Sequence, residues 1–247
     1  VFWPDFLDSN PEVVEACMQA LEFLQSKGVQ VRNKTIPHDM HEISISHGIT
    51  ILSEFALALD YSFSNPQEEL EGNTEVTLLM GKALTAVEVA AAAKIQTFAM
   101  EHVRNLFLWQ EELDAIVSPT LGVKVPRPRT GYRMMGETNT LLVYDVMRYV
   151  TLANLLGLPA LSSVPVSYVK KTGLLIGFQL MGDAWMEHKL LRIATSIECD
   201  YLHRASPGEN FFDTLSPWDQ QNSILTLAVR RFRVIPGVVL CVIVCAS

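Results

Sequence analysis

A helical repeat that stops at Gly157-Leu158-Pro159 and runs straight into two apolar segments constrains this chain more than any other feature. Gly157 can take the positive φ that closes a helix, and Pro159, which has no N–H, keeps the helix from resuming. The pattern predicts a helix over 140–155, strands over 160–166 and 174–180 joined by a turn at 167–173, and a helix over 185–199. Gly177, inside the second strand, marks a place where a neighbour comes close. The first residues carry the same alternation. Asn10-Pro11 caps a helix over 11–27 with Val13, Val14, Cys17, Met18, Leu21 and Leu24 as its apolar stripe; Gly28 stops it, and 29–36 reads as a short strand. Helix, glycine, strand is an α/β signature, so the expected fold is a mixed sheet covered by helices.

Between these blocks, 40–61 reads as a helix loosened at Gly48, with Ile45, Ile49, Leu52, Phe55, Ala56 and Leu59 buried, and 62–73 as a polar loop. Thr85 and Glu88 form a capping box that opens a helix over 86–111, followed by a β-rich run at 113–117 ending at Pro119. The expected domain spans 1–216, and 217–247 is expected to be an atypical, unstructured tail. That tail holds the basic cluster Arg230-Arg231-Phe232-Arg233 beside apolar residues, a composition suited to peripheral contact with anionic lipid. The longest unbroken apolar run, 234–246, is shorter than the ~20 residues of a membrane span, so no transmembrane helix is expected. The chain opens on Val1-Phe2-Trp3 with no initiator Met and reads from the start like the middle of a domain, so an incomplete polypeptide is expected.

Several chemistries are excluded on residue type. A formal net charge of −8 repels a phosphate backbone, which argues against a nucleic-acid partner. Cys17, Cys199, Cys241 and Cys245 have neither zinc-knuckle nor disulfide-framework spacing; Cys17 and Cys199 fall on helical apolar stripes and are expected to be buried and inert, in a reducing compartment. His38, His41 and His47 do not have metal-site spacing, so no metal is expected. None of the 13 glycines adjoins another, which removes Walker and dinucleotide loops and leaves no cofactor to expect.

The block from Asn154 to Val166, followed by Gly173-Leu174-Leu175-Ile176-Gly177-Phe178-Gln179-Leu180-Met181-Gly182, resembles the C-terminal hallmark of the amidase-signature hydrolases. Asp114-Ala115-Ile116-Val117-Ser118-Pro119-Thr120 is similar to that family's D-x-x-x-x-P-T strand end. A narrower likeness lies at Gly136-Glu137-Thr138-Asn139 and Val146-Met147-Arg148-Tyr149, which resemble the G-E-T-N and L-M-R-F elements of plant fatty acid amide hydrolases. The resemblance runs to about Leu215 and implies the C-terminal part of an amidase-signature domain. It implies hydrolysis of acyl amides, N-acylethanolamines among them, by a Ser–Ser–Lys triad with a backbone oxyanion hole, all of which belong upstream of Val1. No catalytic residue is therefore assigned in this chain: Ser162 and Ser163 sit in a core strand with no glycine loop beside them, and Lys82, Lys170 and Lys171 read as surface residues.

What the resemblance implies for this chain is a substrate wall. Val143 and Met147, one turn apart, would face the acyl channel, with Met80 as a third wall residue and a lipid-like acyl amide as the partner. A homodimer of the full-length protein and an intracellular location, with endomembrane association as one alternative, complete the expectations. The rival is a non-catalytic lipid-binding or regulatory copy that has lost the triad. Three departures from the family pattern stand out: Leu175 replaces a proline, Ser167 replaces a glycine, and Ser162-Ser163 adds one residue. An added residue inverts every later side chain in a strand unless a bulge absorbs it.

Overall fold

The computed structural model describes residues 8–33, 40–60, 70, 72–107, 113–126 and 139–201. In chain order these form α1 (Pro11–Ser26), α2 (Met40–Asp60), α3 (Gly72–Ala83), α4 (Ala86–Asn105), β1 (Ile116–Pro119), α5 (Thr140–Met147), α6 (Thr151–Leu156), β2 (Ala160–Tyr168), β3 (Leu175–Met181) and α7 (Glu187–Asp200). Helices and sheet combine as an α/β chain requires. The expected domain edge at 216, the tail beyond it, the Gly136-Glu137-Thr138 element and His38 lie outside the described residues.

Local chemistry accounts for the first element. The Asn10 side chain accepts the Glu12 N–H at 3.1 Å, and Pro11 fills the first turn, where a missing N–H costs nothing. Val13, Ala16, Cys17, Ala20, Leu21 and Leu24 recur at three- and four-residue spacing and are all buried. They pack with Leu190 and Ile197 of α7 and with the sheet in one core. Burial pushes the Cys17 thiol up to about 12, which leaves it protonated and inert. Cys199 is exposed on α7, correcting the expectation that it is buried.

The three strands lie in the order β1-β3-β2, and both pairs are antiparallel. Among the described residues the sheet is thus wholly antiparallel where a mixed one was expected; for β2 and β3 the short turn after Tyr168 can return the chain only in the opposite direction. Of the two outcomes open for the extra residue at Ser162-Ser163, inversion or a bulge, the structure has the bulge. Leu161 faces Leu180 and Val164 faces Phe178, so three steps on β2 match two on β3, a bulge. A second irregularity follows between Pro165 and Ser167. Phe178 and Leu180 therefore stay in the core with Leu161, Val164 and Val166.

The helical half departs further from its sequence pattern. α2 passes through Gly48 unbroken, and it buries Ile43, Ser46, His47 and Ala56 while Ile45 stays 47% exposed. The buried face is set by α4, whose Ala92 carbonyl accepts the Ser46 hydroxyl at 2.8 Å and whose small side chains admit polar neighbours. α3 overlaps the expected loop only at residues 72–73 and otherwise fills a stretch to which the sequence pattern assigns no element; it buries only Leu78 and Gly81, too little for a recognisable stripe. The expected strand at 29–36 shows only an isolated bridge at Asn33 among its described residues. The expectation that no helix could span a membrane rested on unbroken apolar runs. Taken along α2 with its polar residues included, His41–Leu59 has a mean hydropathy of 1.2 over 19 residues, long and apolar enough by composition. A core helix meets the same criterion, and α2 packs against α3, α4 and α6.

The capping box forms as expected. The Thr85 N–H donates to Glu88 Oε2 at 2.7 Å and the Glu88 N–H to Thr85 Oγ1 at 3.3 Å, which holds the Glu88 carboxyl below its usual 4.5. A depressed carboxyl contributes stability above its unfolded value and loses it as pH falls through the folded one. Glu88→Ala should therefore lower the melting temperature at pH 7, and the gap to the parent should shrink below pH 4.5; a gap constant down to pH 3 would contradict this. Iodoacetamide labelling of the native chain, read by peptide mass spectrometry, should modify Cys199 and spare Cys17 until denaturant is added.

Candidate functional site

The predicted 140–155 helix is divided by an elbow at 148–150, and this elbow organises the site. α5 begins where the Asn139 side chain accepts the Leu142 N–H at 3.2 Å. It ends where Thr151 Oγ1 donates to the Arg148 carbonyl at 2.9 Å, drawing that oxygen away from the helical ladder. α6 then ends at Gly157, whose φ of 64° is left-handed, and the Leu158 N–H closes the stop on the Ala153 carbonyl at 3.0 Å.

α5 carries Leu141, Leu142, Val143, Val146 and Met147 yet buries no residue. Val143 is 44% exposed, and Met147 is half-buried one turn further on the same face. Met80 is 48% exposed on α3, whose main packing partner is α2, so the structure groups Val143 with Met147 and sets Met80 on a separate helix. On the flank of α5, the Tyr144 ring meets His41 edge-on at 6.0 Å.

Beneath the elbow lies a buried polar cluster that the sequence reading missed. Gln179, in the middle of β3, is 1% exposed; its Nε2 donates to the Tyr149 carbonyl at 2.8 Å, and its Oε1 accepts the Ser162 hydroxyl at 2.9 Å. Ser118 faces Gln179 across the β1–β3 ladder, with its Oγ 3.5 Å from Nε2. Thr120 Oγ1 donates to the Ser162 carbonyl at 3.0 Å. The signal was present, since a glutamine inside the apolar run from Ile176 to Met181 must find partners when buried.

The elbow is also pinned from the start of α1. Arg148 pairs with Asp8 at 2.9 Å and donates to the Tyr149 hydroxyl at 3.1 Å, which lies 2.7 Å from Ser9 Oγ. Burial raises the Tyr149 phenol above its usual 10.0, opposed by the Ser9 hydrogen bond and the Arg148 charge. This ring and the Arg148 guanidinium pack on Gly122, where a Cβ would come within 2.7 Å of the ring.

Neither serine nor lysine forms a hydrolytic pair among the described contacts. The Ser162 hydroxyl is committed to Gln179, and the side chain of Ser163 lies outside the described residues. Lys27, Lys124, Lys170 and Lys189 each meet a carboxylate, on Asp200, Glu12, Glu15 and Asp114. His47 is buried with Nε2 unpartnered, and desolvation lowers its pKa. Among the described residues no group of three His, Cys, Asp or Glu side chains could hold a metal ion.

A family model described as Amidase matches residues 1–191. The chain is 35% identical over 191 residues to a fatty acid amide hydrolase of Medicago truncatula, covering 76% of this chain and 30% of that protein. It is 33% identical over 192 residues to a fatty acid amide hydrolase of Arabidopsis thaliana, covering 77% and 31%. The chain thus spans about a third of the length of these relatives. Among solved structures, one titled as an amidase superposes with a TM-score of 0.62 at 21% identity, covering 78% of this chain and 43% of that one. A bacterial aryl acylamidase of the amidase signature family superposes at 0.58 and 19%, covering 75% and 39%. Likenesses at that identity establish the fold.

The close approach expected at Gly177 is made by a side chain: a Cβ there would lie 2.7 Å from Thr120 Oγ1 and 3.0 Å from Thr120 Cβ. Gly177→Ala should therefore destabilise the chain by about 1–3 kcal/mol in urea unfolding. Adding Thr120→Ala should recover part of that loss, and strictly additive losses would show that the two positions do not collide.

Proposed function

The chain belongs to the amidase family, and we propose that it is the C-terminal portion of an amidase domain that hydrolyses long-chain acyl amides. The observation that carries this reading is α5. It lies inside the stretch matched by the amidase model, five of its side chains are apolar, and none of its residues is buried. A helix that leaves Val143 44% exposed with Met147 half-buried beside it is suited to line an acyl channel, where each buried methylene contributes about 0.8 kcal/mol. Val143 and Met147 are the wall pair, and Met80, on α3, is the third wall residue of this reading. Methionine suits this role because its unbranched thioether adapts to chains of different shape.

In this reading the nucleophilic serine, the second serine and the lysine reside in a segment upstream of residue 1, together with the oxyanion donors. The serine attacks the amide carbonyl after losing its proton through the second serine to the lysine. The amine departs with a proton, and water then releases the acid from the acyl-serine. What the present residues contribute is the floor of the site. The sheet fixes the elbow, the elbow aims α5, and α5 holds the acyl chain while the carbonyl is positioned for attack.

Hydrolysis of a long-chain acyl amide by the purified chain, and by a form extended through the adjoining upstream coding sequence, tests this directly. Turnover is expected only in the extended form, and turnover by the short chain would overturn the placement of the triad. Turnover in neither form would favour a lipid-binding copy. In the active form, Met147→Ala should raise KM for a long acyl amide roughly tenfold, consistent with losing about 1.4 kcal/mol of apolar contact, and leave a short one within twofold.

A further inference from the structure

We infer that Gln179 is the positioning residue that sets acyl-chain selectivity by holding the α5–α6 elbow, an inference that rests on the reading of α5 as a substrate wall. The carbonyls of the elbow show why. The Met147 carbonyl accepts the Val150 N–H at 2.9 Å, Arg148 accepts Thr151 Oγ1 at 2.9 Å, and Val150 accepts the Asn154 N–H at 3.1 Å. Those three donors belong to the elbow and α6. The Tyr149 carbonyl is different, because its donor, Gln179 Nε2 at 2.8 Å, comes from the central strand of the sheet.

Gln179 is well placed to transmit position. It sits on β3 between β1 and β2, opposite Ser118, and is 1% exposed. The Ser162 hydroxyl, at the β2 bulge, donates to its Oε1 at 2.9 Å, so the amide cannot flip without losing both bonds. A buried carbonyl deprived of its donor must move toward another or stay unsatisfied. The elbow begins one residue after Met147, so a moved elbow rotates the face that carries Met147 and Val143. None of the residues of α5 is fully buried, and Tyr144 meets His41 edge-on at its flank. A glutamine at the sheet centre thus controls a channel wall it does not touch.

The test separates the two ends of the amide. Gln179→Glu keeps an acceptor for Ser162 but cannot donate to the Tyr149 carbonyl. Gln179→Met removes both bonds at similar volume, in case the carboxylate prevents folding. Ser162→Ala removes only the sheet-side bond. In the 247-residue chain, sub-minute hydrogen exchange of the 140–147 amides should quicken at least tenfold in both Gln179 variants and stay within twofold in Ser162→Ala, with α1 unchanged in all three. In the upstream-extended form, the long-to-short preference in kcat/KM should fall about tenfold in the Gln179 variants while kcat for a short acyl amide holds within twofold.

Unchanged exchange at 140–147, or equal quickening in α1, would overturn the inference and leave Gln179 an ordinary core residue. Equal loss on long and short substrates would overturn it too. If exchange responds as expected but the extended parent hydrolyses nothing, the elbow is held by Gln179 and the wall reading is what fails.

Discussion

Everything described here depends on one strand that is buried on both faces. β3 lies between β1 and β2, and Phe178, Leu180 and Met181 are inaccessible to solvent. Such a strand admits a polar side chain only when its hydrogen bonds are complete, because an unpaired buried amide costs about 1–3 kcal/mol. Gln179 meets that condition by reaching the Tyr149 carbonyl on one side and Ser162 on the other. The requirement ties three regions together: the sheet register, the β2 bulge and the elbow between two helices. Neighbouring groups then follow. Thr120 reaches over Gly177 to the Ser162 carbonyl, and Arg148 and Tyr149 bind back to Asp8 and Ser9 at the start of α1.

The parts of this fold that depend on neighbours in sequence could be read from residues alone. Asn10-Pro11 starts α1, Thr85 and Glu88 cap α4, and Gly157 and Pro159 end α6, since each device acts within one turn of chain. The added residue at Ser162-Ser163 could be counted in the sequence, but whether it inverts the strand or bulges depends on the pairing with β3. What could not be read depends on contacts far apart in sequence. The face that α2 buries is chosen by the Ala92 carbonyl across a helix interface, not by the strongest apolar stripe. The elbow reads as continuous helix in the sequence, and the Tyr149 carbonyl within it accepts from Gln179, thirty residues away. α3 carries so few buried residues that no periodicity announces it.

The candidate site divides along the same line. Val143 and Met147 were named through the resemblance of 146–149 to the L-M-R-F element, and i,i+4 spacing gives them a shared helical face. That Val143 is 44% exposed could not be foreseen, because it depends on how α5 packs. Gln179 was overlooked although it stood inside a quoted motif, because a motif read for glycines and prolines draws attention to backbone conformation and away from a buried amide. In the proposed function these residues act at a distance from the chemistry. On that proposal they set where an acyl chain lies, and through that the placement of the bond to be cleaved.

A photoreactive acyl amide with a diazirine midway along its chain, bound to the upstream-extended form and crosslinked, measures that placement most directly. The account predicts crosslinks concentrated on 140–147, with Met147 and Val143 foremost, and their loss on competition with an unlabelled long-chain acyl amide. Crosslinks that avoid α5 while hydrolysis proceeds would contradict the central claim, because the acyl chain would then lie against some other wall.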